Sequence, residues 1–285
     1  MKENGHAMQY ESNNAGSIVS LWRYPVKSMM GEEINSSLVT ERGLLGDRSY
    51  ALVDLATGKV VSAKNPRKWP GMFGFRAVYV EPPDMHEGIP PVRITMPDGV
   101  SATSAQGNLD ALMSRALGAE VTLKSKPPAS PQLEEYWPDI DNLAHRETVT
   151  EEAMPVDTFF DGAVVHILTT ATLKQLQSVY PQGSFEARRF RPNLIVAPDA
   201  ADEGFVENSW VGRTLLIGDQ VRLKVTCATG RCVMTTLPQG DLPKDLGILK
   251  TAVSANHANV GVYATVERAG VIRAGDAVQI EAAYP

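Results

Sequence analysis

Apolar and polar positions alternate over many short stretches of the chain, the period of a half-buried strand. The first is Ile18-Val19-Ser20-Leu21-Trp22, which Pro25 ends. Residues 49–54 and 59–63 flank Ala56-Thr57-Gly58 and read as a hairpin. Residues 75–80 and 92–96 are further strands, and Pro97-Asp98-Gly99 turns the chain into another short one. Ser104 reads as the N-cap of a helix carrying Leu109, Leu112, Met113 and Leu117, with Gly118 just past its end. Residues 121–124 return to strand.

Periodicity then lapses from 127 to about 155, where Pro127, Pro128, Pro131, Pro138 and Pro155 lie among many acids. This stretch reads as a long connection or domain boundary, pinned by Tyr136 and Trp137. An apolar run at 163–168 leads into a helix capped by Thr169 or Thr170 and running through Tyr180, with Leu173, Leu176 and Val179 on one face. Residues 193–197 form a strand, and 213–217 with 220–226 form a hairpin around Gly218-Asp219. A later pair, 261–267 and 277–281, brackets Gly270 and Gly275-Asp276, and 243–252 reads as a short helix. The expected fold is therefore mainly β with a few helices (α+β), its sheet curled or closed into a barrel.

Composition narrows the class. The chain has 285 residues, 43% of them apolar, and a net charge of −6. That is too apolar and too weakly charged for a wholly disordered chain. No apolar run approaches the roughly 20 residues that span a bilayer. The acidic balance argues against nucleic acid as a partner. Two cysteines are too few for a disulfide scaffold. The first 16 residues, MKENGHAMQYESNNAG, lack an apolar core. They read as a disordered tail, and the expectation is a cytoplasmic protein with reduced thiols and no membrane association.

The common catalytic signatures are missing. No two of the five histidines lie within five residues of each other, so no HExxH-type zinc signal exists. No GxSxG elbow, phosphate loop or GxGxxG fingerprint occurs. His166, inside an apolar run, reads as a core residue. Three segments stand out instead. In the run from Val221 to Cys232, alternation places Cys227 with Val221, Leu223 and Val225 on the inner face. Cys232 follows Thr229-Gly230 and adjoins Arg231, where a neighbouring cation would lower its pKa and favour the nucleophilic, metal-binding thiolate. An ordinary loop cysteine or a Cys227–Cys232 disulfide are the alternatives. Arg188, Arg189 and Arg191 cluster before Pro192-Asn193 and suit either an anion pocket or a solvated charge cluster paired with Glu186. Lys27 and Ser28 in Tyr24-Pro25-Val26-Lys27-Ser28, and Arg48 in Gly43-Leu44-Leu45-Gly46-Asp47-Arg48, fall on irregular backbone.

Taken together, YPVKS, GLLGDR, RFRPN and RC-x₂-TT resemble the molybdenum cofactor sulfurase C-terminal (MOSC) domain family, and within it the amidoxime-reducing-component-like proteins. The similarity runs from about Ser17 to about Ile280. It implies a tail at 1–16, an N-terminal MOSC β-barrel module at 17–130 and a MOSC domain at 131–285, with a β-barrel core. Residues 17–50 would join the MOSC barrel if Lys27 and Arg48 are to approach Cys232. The implied cofactor is a molybdopterin-type molybdenum cofactor with Cys232 as metal ligand. Its phosphate and pterin contacts would carry over to Lys27, Ser28, Arg48, Arg191 and Asn193. Arg189, Arg231 and Thr235 belong to the same motifs, and Thr169 and Thr170 open a helix in a region that lines the site.

The resemblance implies an oxidoreductase that reduces N-hydroxylated small molecules, with Asp161 and His166 in the matching region. Two cysteines cannot hold an iron–sulfur cluster needing four. Electrons would then come from a separate ferredoxin- or flavoprotein-like protein. Two other functions fit the same motifs: a sulfur carrier bearing a persulfide on Cys232 and charged by a sulfur donor, or a non-catalytic cofactor-binding module. Pyridoxal phosphate is not expected, because no pyridoxal-type sulfurase domain is present. The C-A-T-G-R-C spacing is wider than the C-x-x-C of the mitochondrial relatives.

Overall fold

The alternation around residues 18–22 continues over the whole strand Ser12–Arg23, and this strand closes a barrel. The computed structural model describes residues 12–86, 88–199 and 202–282. Ser17 lies opposite Ala197 on one side and Ala277 on the other. From Leu194–Ala197 the wall continues through Val165–Thr169, Asn259–Arg268, Val221–Gly230, Thr214–Ile217 and Ala277–Glu281, back to the first strand. These seven strands leave no open edge between them. The inward side chains, among them Ile18, Leu21, Ile167, Leu223, Val225 and Val262, are buried in one apolar core.

Val165–Thr169 is buried at every position, which explains its unbroken apolar run. Its outer face is covered by two helices, α2 (Thr170–Val179) and α3 (Leu246–Asn256), through Leu168, Leu176, Phe190, Ile248 and Ala252. Thr169 caps α2, its Oγ1 accepting from the Thr172 amide at 3.1 Å. Asp245 caps α3, so that helix starts three residues after the expected Pro243.

A second body, built from segments between residues 26 and 124, has its own core around Trp69, Met72, Phe73, Phe75, Ile94 and Met113. It contains the sheet Arg76–Tyr79, Val92–Thr95, Ser101–Thr103 and helix α1 (Leu109–Leu117), which Gly118 terminates in the left-handed conformation. The mainly β class with a barrel is as expected.

Several local expectations need correction. Residues 12–16, expected in the tail, lie in the first barrel strand; the rest of that tail, 1–11, falls outside the described residues. Ala51–Asp54 pairs with Val121–Lys124 rather than with 59–63, which contributes only the bridge Val53↔Val60. Ser104 is not a helix cap: its Oγ accepts from the Val92 amide, and Asn108 precedes α1. The strands at 259–268 and 277–281 do not pair, because Gly270–Arg273 leaves the barrel to join Ser36–Thr40.

The largest miss is at 127–155, which contains a hairpin, Gln132–Trp137 with Thr148–Ala153. Its alternation is written in charged residues: Glu134 and Glu151 on one face share Lys59, and Glu135 on the other is buried against Lys64. Hydrophobic periodicity cannot register such a strand. Cys227 is likewise misplaced by simple alternation. A bulge between Val225 and Cys227 shifts the register of Val221–Gly230, and Cys227 is exposed.

Candidate functional site

One end of the barrel opens into a cavity of about 460 Å³ that brings together residues from both bodies. Lys27, Ser28 and Arg48 arrive from the chain leaving the first strand. Arg189, Arg191 and Asn193 come from the loop before Leu194–Ala197, and Arg231, Cys232 and Thr235 from the turn after Val221–Gly230. Thr169 and Thr170 do not line this cavity. Thr169 Oγ1 donates to Glu207 at 2.6 Å as part of the α2 cap, and Thr170 faces a separate depression.

The backbone here is held in rare conformations. Among the described residues, eight non-glycine residues have positive φ, and six of them line the cavity: Ser28, Arg48, Asn142, Arg191, His257 and Ala258. Each costs roughly 1–3 kcal/mol, a strain that clusters where a site must be shaped. Gly261 adds a close approach. Its φ is +83°, and a Cβ there would lie 2.4 Å from His166 Nε2.

Tyr24 organises the cations. Arg191 lies over its ring, 4.1 Å from the centroid, as does Arg48 at 4.7 Å, and its hydroxyl donates to the Pro192 carbonyl. Arg48 pairs with the buried Asp47, which also accepts from Asn193 Nδ2 at 2.9 Å. Arg191 donates to the Met29 carbonyl at 2.6 Å and has no carboxylate partner among the described residues. Burial, with Arg48 beside it, lowers its pKa to about 10. Arg231 is also spent on carbonyls, those of Val260 and Phe190, and burial lowers it to about 10. Its guanidinium touches His166, which burial and that charge hold neutral, well below the usual imidazole range.

Arg189 has a different role from its neighbours. It is 1% exposed and donates to the carbonyls of Ser184, Thr235, Leu237 and Pro243. It braces the turn that carries Cys232.

Lys27 donates to Asp161 at 2.5 Å and to the Phe159 carbonyl at 2.9 Å. Burial lowers the Lys27 pKa, with Asp161 opposing. Burial raises Asp161, but Lys27 and Lys64 outweigh it and hold that carboxyl below its usual range. Lys64 pairs in turn with Glu135 at 3.0 Å. Cys232 does not have the lowered pKa expected beside Arg231. Burial and the Glu135 carboxylate push its thiol up to about 12, because the Arg231 guanidinium turns away to Val260 and Phe190. The sequence reading missed Lys64, Glu135, Trp137, Glu152 and Tyr263 in this wall. The only signal for Lys64 was its place on irregular chain after Val60-Val61.

This barrel, with a thiol and a cationic wall at its mouth, defines the class. Residues 156–279 match the MOSC domain and residues 15–120 match the MOSC N-terminal beta barrel domain, and the chain belongs to the MOSC family. It is similar to mitochondrial amidoxime reducing component 2 of Rattus norvegicus, 25% identical over 297 residues, covering 92% of this chain and 82% of that one. It is also similar to mitochondrial amidoxime-reducing component 1 of Homo sapiens, 25% identical over 295 residues, covering 93% and 83%. The YUAD protein from Bacillus subtilis aligns in structure with a TM-score of 0.49 at 10% identity, covering 97% of this chain and 100% of that one. No helix among the described residues is long and apolar enough to cross a membrane.

Proposed function

We propose that this cavity binds a molybdenum cofactor of the molybdopterin type and reduces N-hydroxylated small molecules with electrons from a separate protein. The observation that carries the reading is the meeting of Cys232 with a surplus of buried cations. Among the described residues, six basic side chains and three carboxylates line the cavity, and Arg191 and Arg231 have no carboxylate partner. Buried cations left this way are costly unless an anion completes them, and a phosphorylated ligand does so.

Among the described residues, no three His, Cys, Asp or Glu side chains converge to hold a bare ion. A lone thiolate therefore suits a metal that arrives already held by its own organic ligand. Cys232 would hold that metal, and Lys27, Ser28, Arg48, Arg191 and Asn193 the ligand's polar atoms. The Lys64 cation beside Cys232 favours the thiolate that binding requires.

When bound, the group supplies two-electron oxygen-transfer chemistry. Overall, the N–O bond of the substrate breaks, two electrons and two protons enter, and the reduced nitrogen compound and water leave. His166 is held neutral and so adds no further positive charge to the cavity. Its ring packs edge-on to Tyr263 at 5.8 Å and orients this side of the cavity. A persulfide carrier draws less support, because it needs a thiol that a donor protein can reach and Cys232 is partly buried in the cavity.

Metal and pterin analysis of wild type, Cys232→Ser and Cys227→Ser tests the ligand. Molybdenum coordination should change only in Cys232→Ser; equal effects would defeat the assignment. Turnover of an amidoxime with a chemical reductant tests the activity, and its absence in fully loaded protein counts against it.

A further inference from the structure

The cavity has two chemically different walls. Part of the lining is the basic set Lys27, Arg48, Arg191 and Arg231, and part is the hairpin Gln132–Trp137/Thr148–Ala153. Residues directly opposite in an antiparallel pair share a face. The register Leu133↔Glu152, Glu135↔Thr150 and Trp137↔Thr148 therefore places Glu135, Trp137, Thr150 and Glu152 on one face. Three of them, Glu135, Trp137 and Glu152, line the cavity.

These side chains are fixed relative to one another. Trp137 Nε1 donates to Thr150 Oγ1 at 2.8 Å, and Thr150 Oγ1 donates to Glu152 Oε1 at 2.8 Å. His145 packs edge-on to the Trp137 ring, with centroids 5.1 Å apart. Glu135 is matched by Lys64. Glu152 has no cation partner among the described residues, and its Oε2 makes no hydrogen bond to them. An indole ring beside an uncompensated carboxylate is the equipment for a planar cation. The ring takes the flat face, and the carboxylate accepts N–H groups in the plane.

We propose that this hairpin face is the substrate seat and selects planar amidinium- or guanidinium-type cations, with Glu152 and Trp137 as specificity-determining residues. The inference rests on the proposed function for the chemistry performed. It adds that Glu152 and Trp137 make this seat favour a positively charged substrate over its neutral isostere. The charge layout supports this division: the anionic ligand belongs with Arg48, Arg191 and Arg231, and the cation with the hairpin face that carries Glu152.

Binding of unreactive probes tests the seat without turnover. Benzamidinium and its neutral isostere benzamide are titrated into the purified protein by calorimetry, with wild type, Glu152→Gln and Trp137→Leu. Benzamidinium should bind at least about 10-fold more tightly than benzamide, the scale of one charge-assisted hydrogen bond. Glu152→Gln should remove most of that preference and leave benzamide unchanged. Trp137→Leu should weaken both probes. Equal binding of the two probes by wild type overturns the proposal, as does a Glu152→Gln protein that keeps the preference. Steady-state comparison of an N-hydroxyguanidine with a neutral amidoxime then separates the two claims. Probe selectivity without any turnover leaves the cation seat standing and defeats the reductase reading. Turnover without selectivity does the reverse.

Discussion

Asn193 and Asp47 are 146 positions apart, yet their side chains are joined by a buried hydrogen bond of 2.9 Å from Asn193 Nδ2 to Asp47 Oδ2. The same amide also donates to the Trp22 carbonyl, and its oxygen accepts from the His166 amide at 3.1 Å. Asp47 in turn accepts from the Tyr24 amide at 2.7 Å. This one pair ties the chain after the first strand to the loop that carries Arg191. Asn193→Ala would strand several buried partners. It should cost about 3 kcal/mol, since each buried polar group left unsatisfied costs about 1–3 kcal/mol. Urea unfolding would show a lower midpoint with the slope unchanged.

Arg189 should resist replacement by lysine. Its fork reaches four carbonyls at once, including two within or next to the Val233–Thr236 turn after Cys232. A lysine ammonium lacks that planar geometry. Arg189→Lys should lose at least about 2 kcal/mol of stability, the scale of one charge-assisted bond to a buried acceptor. It should also speed amide hydrogen exchange in the turn, as read by mass spectrometry.

Glu207 makes stability depend on pH. It is 1% exposed, has no cation partner among the described residues, and accepts from Thr169 and Thr172 through Oε2. Burial raises its pKa above the usual carboxylate value, with those hydroxyls opposing. In the window between the unfolded and folded pKa, the folded state binds more protons than the unfolded one. Its contribution is therefore fully present below the unfolded pKa and is lost as pH rises through the folded pKa. Denaturation of Glu207→Gln across this range should lack that loss, so the wild-type and variant curves converge at low pH and part as pH rises.

The two thiols should react at very different rates. Cys227 is exposed through the bulge, and Cys232 is partly buried in the cavity. Iodoacetamide labelling of the protein followed by peptide mapping should modify Cys227 first. Faster labelling of Cys232 would mean that the turn after the strand is open in solution.

How much of this was legible in the chain depended on what each signal reports. Strands with an apolar face, such as Thr214–Ile217 and Leu194–Ala197, announced themselves, and so did the Thr169 and Gly118 helix ends. Pairing partners did not, because alternation identifies a strand's face but not its neighbour; Ala51–Asp54 turned to Val121–Lys124 rather than to the nearby 59–63. The motif residues Lys27, Arg48, Arg191 and Cys232 do meet in one cavity. Lys64 and the hairpin residues stayed hidden because their burial is balanced by charge partners, which a hydrophobic pattern cannot show. The bulge at Cys227 depends on tertiary packing, and no local residue in the strand signals it.

The strand Ser12–Arg23 has a consequence for the order of assembly. Its two neighbours in the barrel wall, Leu194–Ala197 and Ala277–Glu281, lie more than 170 and more than 250 positions further along. Such contacts are slow to form, because distant segments must meet before anything is gained. During synthesis this strand, paired locally only with Glu32–Ile34 at its end, emerges well before either barrel partner. Closure of the barrel is therefore among the last events of biogenesis, and a cavity that joins Lys27 to Cys232 cannot be complete before it.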